Sequence, residues 1–187
     1  MMLAVVAITS TSPSWCQSHT VRIGDSTFLI HYDTALLIAK SVEWFLSSND
    51  IGKQKRNSSW RFVPDHRYPG KQPTHEDYSH SGYDRGHMLP AGDRSRSISS
   101  MKQTFVMTNV CPQVPALNRG EWKRIEDATR KYATGGHRLW VQAFPIFWQA
   151  DTQRIGINHV PVPHGFVKTV RLAESDSIIY TRYFQNY

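Results

Sequence analysis

Cysteines are few in this sequence, and long apolar runs are missing from it. Cys16 and Cys111 are the two cysteines among 187 residues, and neither has a second cysteine at the short spacing of a zinc site. They could form one disulfide or remain unrelated thiols, and we favour free thiols. No apolar run approaches the roughly 20 residues of a membrane-spanning helix. The sequence therefore predicts neither a cysteine-rich zinc module nor a membrane partner.

Internal repeats are also absent, and low complexity is confined to the Ser/Thr stretch at residues 9–14. Without a linker between two folded halves, we expect a single domain over residues 19–187. Residues 1–18 are interpreted as a leader or the remnant of a signal. Their first eight residues have the apolar run of a short secretory signal but lack its basic n-region.

Positive charge is in excess. Lys and Arg total 22 against 15 Asp and Glu, which gives a net charge of +7 and a pI near 9.6. Such an excess favours a polyanionic partner such as nucleic acid, although many basic proteins bind none. Hydrophobic residues make up 40% and aromatic residues 12%. This composition excludes a disordered chain and predicts a globular one.

Several segments have the alternating or β-branched pattern that is typical of strands. Together they predict a central sheet. The predicted strands are residues 20–23, 28–32, 104–108, 139–144, 166–172 and 177–184.

The clearest helix begins near Asn118 and ends at the two glycines 135 and 136. Residues 35–46 could be a helix or irregular chain that covers the core, and residues 49–81 form a long surface loop, a kind of segment that is often functional. The buried stripe predicted for the clear helix consists of Trp122, Ile125, Thr129 and Tyr132.

The most informative local segment covers residues 82–91 and reads Gly-Tyr-Asp-Arg-Gly-His-Met-Leu-Pro-Ala. It places His87 beside Arg85 and two glycines. A neutral histidine can take a proton from water, and a guanidinium can hold a phosphate through paired hydrogen bonds. Glycines allow the backbone to come close to a ligand. Taken alone, however, the segment is more often a structural histidine with a solvated arginine.

Two later segments change that balance. Residues 108–113 read Thr-Asn-Val-Cys-Pro-Gln, and residues 117–122 read Leu-Asn-Arg-Gly-Glu-Trp. With the Asp-Arg-Gly-His segment, they resemble in order and spacing the DNA/RNA non-specific endonuclease family of endonuclease G-like nucleases. The resemblance extends from about Thr20 to Leu172. Its further matches are residues 55–57, 60–61, 65, 156–163 and 166–168.

The resemblance implies an α+β fold in which a mainly antiparallel sheet carries a ββα metal finger. It implies a metal-dependent endonuclease that cleaves double- and single-stranded DNA and RNA with little sequence preference and leaves 5′-phosphate ends. On this interpretation His87 is the general base. Asn118 is the one protein ligand of Mg²⁺, for which Mn²⁺ can substitute, and a single carboxamide suits an ion that sheds its water reluctantly.

Five other side chains receive roles from the resemblance. Arg85 and Arg130 neutralise the phosphate, and Glu126 acts through a metal-bound water. Arg56 binds substrate, and Asn109 orients the site through its amide. Simpler alternatives remain for three of them: Glu126 pairs with Arg130 one helical turn away, Arg56 belongs to a solvated basic loop, and Asn109 caps a strand end.

The remaining histidines are not assigned to a metal, because they are scattered without the spacing of zinc ligands. Among them are His75, His80, His137, His159 and His164.

Two other functions compete with the nuclease hypothesis: a basic nucleic-acid-binding module with a decayed nuclease site, and a phosphodiesterase for small nucleotides. The first is disfavoured because His87, Asn118, Glu126 and Arg130 are all present, and the second by the positive charge. A nuclease of broad specificity endangers its own cell, which favours secretion or a periplasmic location, or an inhibitor protein as partner. The sequence leaves a homodimer open.

Overall fold

The main sheet has six strands. The computed structural model of the protein describes residues 20–24, 27–148 and 152–187. In spatial order the sheet is β1-β2-β3-β6-β9-β10, and every neighbouring pair is antiparallel. The strands are β1 (Thr20–Gly24), β2 (Phe28–Asp33), β3 (Ile38–Leu46), β6 (Leu139–Ile146), β9 (Gly165–Leu172) and β10 (Ile178–Gln185).

Two small two-stranded sheets and three helices complete the fold. The strands β4 and β5 pair with each other, as do β7 and β8, both times in antiparallel orientation. The predicted α+β class with a mainly antiparallel sheet is confirmed. These elements are β4 (Asp84–His87), β5 (Val110–Gln113), β7 (Arg154–Ile155), β8 (Val160–Pro161), α1 (His75–Tyr78), α2 (Ile98–Lys102) and α3 (Trp122–Thr134).

One face of the main sheet is buried against α3. Along β6 every second residue is buried, the pattern of a strand with one face in the core. Trp122, the first residue of α3, packs on Phe166 of β9 and Phe184 of β10 with ring centroids 5.5 and 5.4 Å apart. A second cluster of buried apolar residues includes Phe62, Phe105 and their neighbours. It lies beside β4 and supports the site.

The prediction for residues 35–46 is wrong, because most of that segment is the central strand β3 between β2 and β6. Its apolar spacing fits a helix as well as a strand, and the local pattern does not distinguish the two. In the structure Val42, Trp44 and Leu46 are buried at every second position. Pairing with two neighbouring strands therefore decides the conformation.

The strand predicted at residues 104–108 is also wrong. Val106 forms a single bridge with Val63, and a 3₁₀ turn follows at Met107–Asn109. Phe105 and Met107 are nevertheless buried. The apolar pattern of this segment correctly indicated buried residues, which belong to the second cluster. The segment itself forms no strand.

The predicted helix is confirmed, with a local correction. A π turn at Leu117–Glu121 precedes α3, which ends at Thr134 before Gly135. Trp122 and Thr129 are buried as expected, but Tyr132 is 44% exposed and Ala133 is buried in its place. At about 100° per residue, Ala133 returns to within about 20° of Trp122, whereas Tyr132 lies about 80° away.

The long loop at residues 49–81 is confirmed, with α1 as its one α-helix. It is held to the rest of the fold by the buried Asp65 carboxylate, which accepts hydrogen bonds from Thr108 Oγ1 at 2.6 Å and from the Arg67 guanidinium. No helix within the described ranges is long and apolar enough to cross a membrane.

The Cys111 thiol is free and buried in the core. Its suggested partner Cys16, and the leader predicted at residues 1–18, lie outside the described residues.

Candidate functional site

Two hydrogen bonds tie the start of α3 to the two ends of β4. At one end, the Asn118 amide nitrogen donates to the Asp84 carboxylate at 2.9 Å. At the other, Trp122 Nε1 donates to the backbone oxygen of His87 at 3.2 Å. The strand pair β4–β5 and this helix form the expected ββα unit. His87 and Asn118 consequently lie on the same unit. Asn118 is bound to the first residue of β4, and His87 is its last residue.

The His87 imidazole packs against two phenyl rings that also touch each other. Its centroid is 4.6 Å from that of Phe62 and 4.8 Å from that of Phe105. Burial, and then the positive charge of Arg56, lower the pKa of His87 to about 3. Its Nε2 is buried and has no hydrogen-bond partner within the described part of the chain. The imidazole is therefore neutral at pH 7, as a general base must be.

Glycine beside the histidine allows β4 and β5 to pack closely. A Cβ atom at Gly86 would lie 2.2 Å from Oε1 of the buried Gln113 on β5. Such a contact is far shorter than packed atoms allow. A side chain at this position would require the Gln113 side chain to move.

The Asn118 amide has a fixed orientation. Its nitrogen faces Asp84, whose carboxylate also accepts hydrogen bonds from Nε and Nη2 of Arg119 at 2.8 and 2.7 Å. Burial alone would raise the pKa of Asp84, but the hydrogen bonds from Arg119 and Asn118 outweigh it and lower that pKa. A charged carboxylate thus holds the amide nitrogen. The carbonyl oxygen Oδ1 is left on the other edge of the amide.

Asn118 belongs to the π turn before α3. Such turns are rare and occur frequently at functional sites, since the inserted residue displaces a side chain from the regular helix position.

A cavity of about 370 Å³ lies beside Asn118. Four arginines and three aromatic residues contribute to it, and Asp84 supplies its one carboxylate among the described residues. This charge distribution suits an anion. The lining consists of Arg56, Trp60, Arg61, Phe62, His75, Tyr83, Asp84, Arg85, Asn118 and Arg119.

The Arg85 guanidinium is held at the wall of the cavity. Nη2 donates to the backbone oxygen of His75 at 3.0 Å, and the group lies 5.5 Å from the centroid of the Tyr78 ring. Its Nε is buried and has no protein partner in the described ranges. Arg56 lies over the Phe105 ring, which itself packs against the His87 imidazole. The structure therefore brings Arg56, Arg85 and Asn118 to one cavity, with His87 behind Phe62.

Asn109 lies outside the cavity and is fully buried. Its Oδ1 accepts from the Leu89 backbone nitrogen at 3.0 Å, and its Nδ2 donates to the backbone oxygens of Leu89 and Thr104. These bonds fix the chain just after His87. Asn109 acts on the backbone and makes no contact with the cavity.

Glu126 and Arg130 also lie away from the cavity lining, on the side of α3 that faces the sheet. Arg130 donates to Asp93 Oδ1 at 2.8 Å and to Asp127. Glu126 Oε1 lies 4.0 Å from Nζ of Lys168. Burial raises the pKa of Glu126, and the positive charges of Lys168 and Arg130 oppose that change. The hydrogen bonds of Arg130 thus go to Asp93 and Asp127 rather than to Glu126.

The sequence did not identify Asp93, Lys168 and Trp44, which surround these two residues. Asp93 is buried and accepts a hydrogen bond from Trp44 Nε1 at 3.0 Å. Its bond to Arg130 joins residues 37 positions apart. No local pattern indicates such a partner, although Lys168 did belong to a segment that matched the family.

The donors at the cavity fit a metal ion held by few protein atoms. Within the described ranges no three or more His, Cys, Asp or Glu side chains are grouped to chelate an ion. The Asn118 Oδ1 atom is a neutral oxygen donor next to a cavity that admits water. This arrangement fits Mg²⁺, which prefers oxygen and keeps several waters.

Comparisons with known proteins agree with this geometry. The profile of a family described as DNA/RNA non-specific endonuclease matches residues 15–185. A nuclease of Nostoc sp. is 36% identical over 120 residues, which cover 63% of this chain and 43% of that protein. The mitochondrial nuclease EXOG of Danio rerio is 32% identical over 158 residues, 79% of this chain and 46% of that protein. The match thus spans less than half the length of these relatives.

A solved structure of an EndoG/EndoGI complex, described as showing the mechanism of EndoG inhibition, has a similar fold. It superposes with a TM-score of 0.79 at 25% identity and covers 91% of this chain and 75% of that one.

Burial should keep the His87 imidazole neutral in acid. In ¹⁵N-labelled protein, we expect its ring signal to stay that of the neutral form down to about pH 4, whereas an ordinary histidine is protonated near 6.5. The signal is assigned by its loss in His87→Gln. Arg56→Ala should raise the midpoint only partly, because burial is the larger cause. A parental midpoint near 6.5 would contradict the buried, neutral state.

Proposed function

The chain belongs to the DNA/RNA non-specific endonuclease family, and from this premise we propose that it hydrolyses phosphodiester bonds of DNA and RNA in a magnesium-dependent reaction. One observation carries the proposal. The neutral imidazole of His87 and the Oδ1 edge of the Asn118 amide belong to one ββα unit beside an arginine-lined cavity.

The substrate follows from the charge of the cavity. Arg56, Arg61, Arg85 and Arg119 face it, and the single carboxylate of Asp84 is already bound to Arg119 and Asn118. Guanidinium groups bind phosphates, which DNA and RNA share and which carry no base sequence. We therefore propose cleavage of single and double strands of both nucleic acids with little sequence preference.

His87 is the general base in this proposal. Its imidazole accepts a proton from the water that attacks phosphorus, and the rings of Phe62 and Phe105 pack against it. Arg85, already fixed by His75 and Tyr78, stabilises the extra negative charge of the transition state. The 3′ oxygen leaves, so the product carries a 5′ phosphate.

Asn118 Oδ1 would hold the metal ion. When bound there, Mg²⁺ or Mn²⁺ would supply positive charge for the phosphate and for the departing 3′ oxygen. Glu126 lies eight positions further along the chain, about 12 Å in an ideal helix. We infer that it acts through intervening water rather than by direct contact.

An inhibitor protein is a further proposed partner. The solved EndoG structure is a complex with an inhibitor, and an exposed cavity with excess arginine suits an acidic protein surface. Export to the periplasm or the medium would serve the same protective purpose.

Plasmid digestion tests the reaction and the two central residues. A chelator should abolish the activity. His87→Ala should lower turnover by roughly 10²–10⁴ while leaving the fold and DNA binding intact. Asn118→Ala should instead raise the magnesium requirement, so that excess metal recovers part of its activity. The matched control His137→Ala changes an exposed histidine after α3 and should digest at the parental rate.

The mechanism is wrong if a folded His87→Ala variant digests DNA at the parental rate from about pH 6 to about pH 9. Binding of DNA without hydrolysis in any divalent metal would support the decayed binding module.

Asp84 should control metal affinity through the Asn118 amide. Asp84→Ala removes the acceptor that orients the amide, so we expect Mn²⁺ to bind about 10- to 100-fold more weakly in a calorimetric titration. Asp176→Ala is the control, because it removes a carboxylate bound to Arg171 at the surface. Equal affinities of the parent and the Asp84 variant would refute the orienting role.

Salt should weaken substrate binding, because each phosphate contact releases counterions. Arg56→Ala should raise KM and reduce the slope of log affinity against log salt by about one. Arg138→Ala, an exposed arginine over Phe45 and outside the cavity, should change neither. If Arg56→Ala changes neither KM nor the salt dependence, Arg61 is the substrate-binding arginine instead.

A further inference from the structure

A lysine is buried between the main sheet and α3. Lys168, on β9, is only 1% exposed. Its ammonium lies 4.0 Å from the centroid of the Trp122 ring and 5.7 Å from that of Trp44. The carboxylate of Glu126 lies 4.0 Å away. One cation thus contacts two indole faces and an acid.

The charges around this lysine balance. Arg130 binds Asp93, and Trp44 donates to the same carboxylate. Two cations, the buried Lys168 and the partly buried Arg130, therefore accompany two acidic groups, the partly buried Glu126 and the buried Asp93. Buried ion sets of this kind are often no more stable than apolar residues of similar volume, because desolvation offsets their attraction. Stability alone does not account for a lysine between two indoles.

Two of the three groups that Lys168 contacts, Glu126 and Trp122, lead to the proposed reaction. Glu126 is the side chain proposed to act on the reaction through intervening water. Trp122 donates from Nε1 to the backbone oxygen of His87, the proposed base. The ammonium on the ring face and the hydrogen bond at the ring edge together fix the indole.

We propose that Lys168 is a positioning residue, whose ammonium holds the Glu126 carboxylate and the Trp122 indole so that α3 keeps its place against His87. The inference rests on the proposed function for the roles of Glu126 and His87. The arrangement of Lys168, Trp122 and His87 is independent of that function and is measured separately.

Lys168→Met keeps the length of the side chain and removes its charge. We expect kcat on plasmid DNA to fall about tenfold or more, while KM stays within about threefold because the cavity arginines are untouched. Arg171→Met is the matched control. It lies on the same strand, over the Trp140 ring and at the surface, and it should keep the parental kcat. A folded Lys168→Met variant with parental kcat overturns the proposal.

A double-variant cycle tests whether Lys168 acts through Glu126. If it does, adding Lys168→Met to Glu126→Gln should lower kcat by less than about threefold further, whereas independent effects multiply. Full multiplication would overturn this route. The double variant also removes both charges of the pair, so it should fold even if Lys168→Met alone does not. In that case, the kcat of the double variant relative to Glu126→Gln replaces the kcat of Lys168→Met relative to the parent.

Nuclear magnetic resonance of ¹⁵N-labelled protein separates this inference from the proposed function. Lys168→Met should shift the Trp122 Nε1–H and His87 ring signals and speed solvent exchange of the indole proton, while Arg171→Met leaves them unchanged. If Lys168→Met shows these shifts but the parent protein cleaves no nucleic acid, the proposed function is refuted and the positioning role is supported. Unchanged signals in the Lys168 variant would refute the positioning, whatever the activity.

Discussion

The Trp122 indole is the contact on which the arrangement of the site depends. Its ring packs against Phe166 and Phe184 of the main sheet, and its Nε1 donates to the His87 backbone oxygen. The Lys168 ammonium lies on the ring as well. A large apolar ring with one polar atom suits this position, because it can be buried and still hold a backbone group. The position of His87, the proposed base, is thereby set by the core of the protein rather than by a loop.

Electrostatics at the cavity follow from the partners of Asp84. Its carboxylate is neutralised by Arg119 and orients Asn118, so it adds little negative potential to a surface dominated by arginine. Burial keeps His87 neutral without a carboxylate partner. The site thus combines a neutral imidazole with a cationic wall.

Short motifs made the site predictable from the sequence, while long-range pairing did not. His87, Arg85 and Asn118 were proposed as site residues because each belongs to a short motif that can be recognised from a few consecutive residues. Asp93 was missed because the arginine that explains its burial is far along the chain. The same limit applies to β3, since an apolar spacing shared by helix and strand is resolved only by neighbouring strands. In α3 the last residue of the predicted buried stripe was Tyr132, but the structure buries Ala133, one position later.

The close contact of Gly86 with Gln113 has a consequence for sequence divergence. A larger residue at position 86 would collide with the buried amide across the strand pair, and a change at position 113 alone would leave a void beside the histidine strand. A residue larger than glycine at position 86 thus requires the Gln113 side chain to move or to be shortened. Substitutions at the two positions should therefore be coupled in lineages descended from this protein.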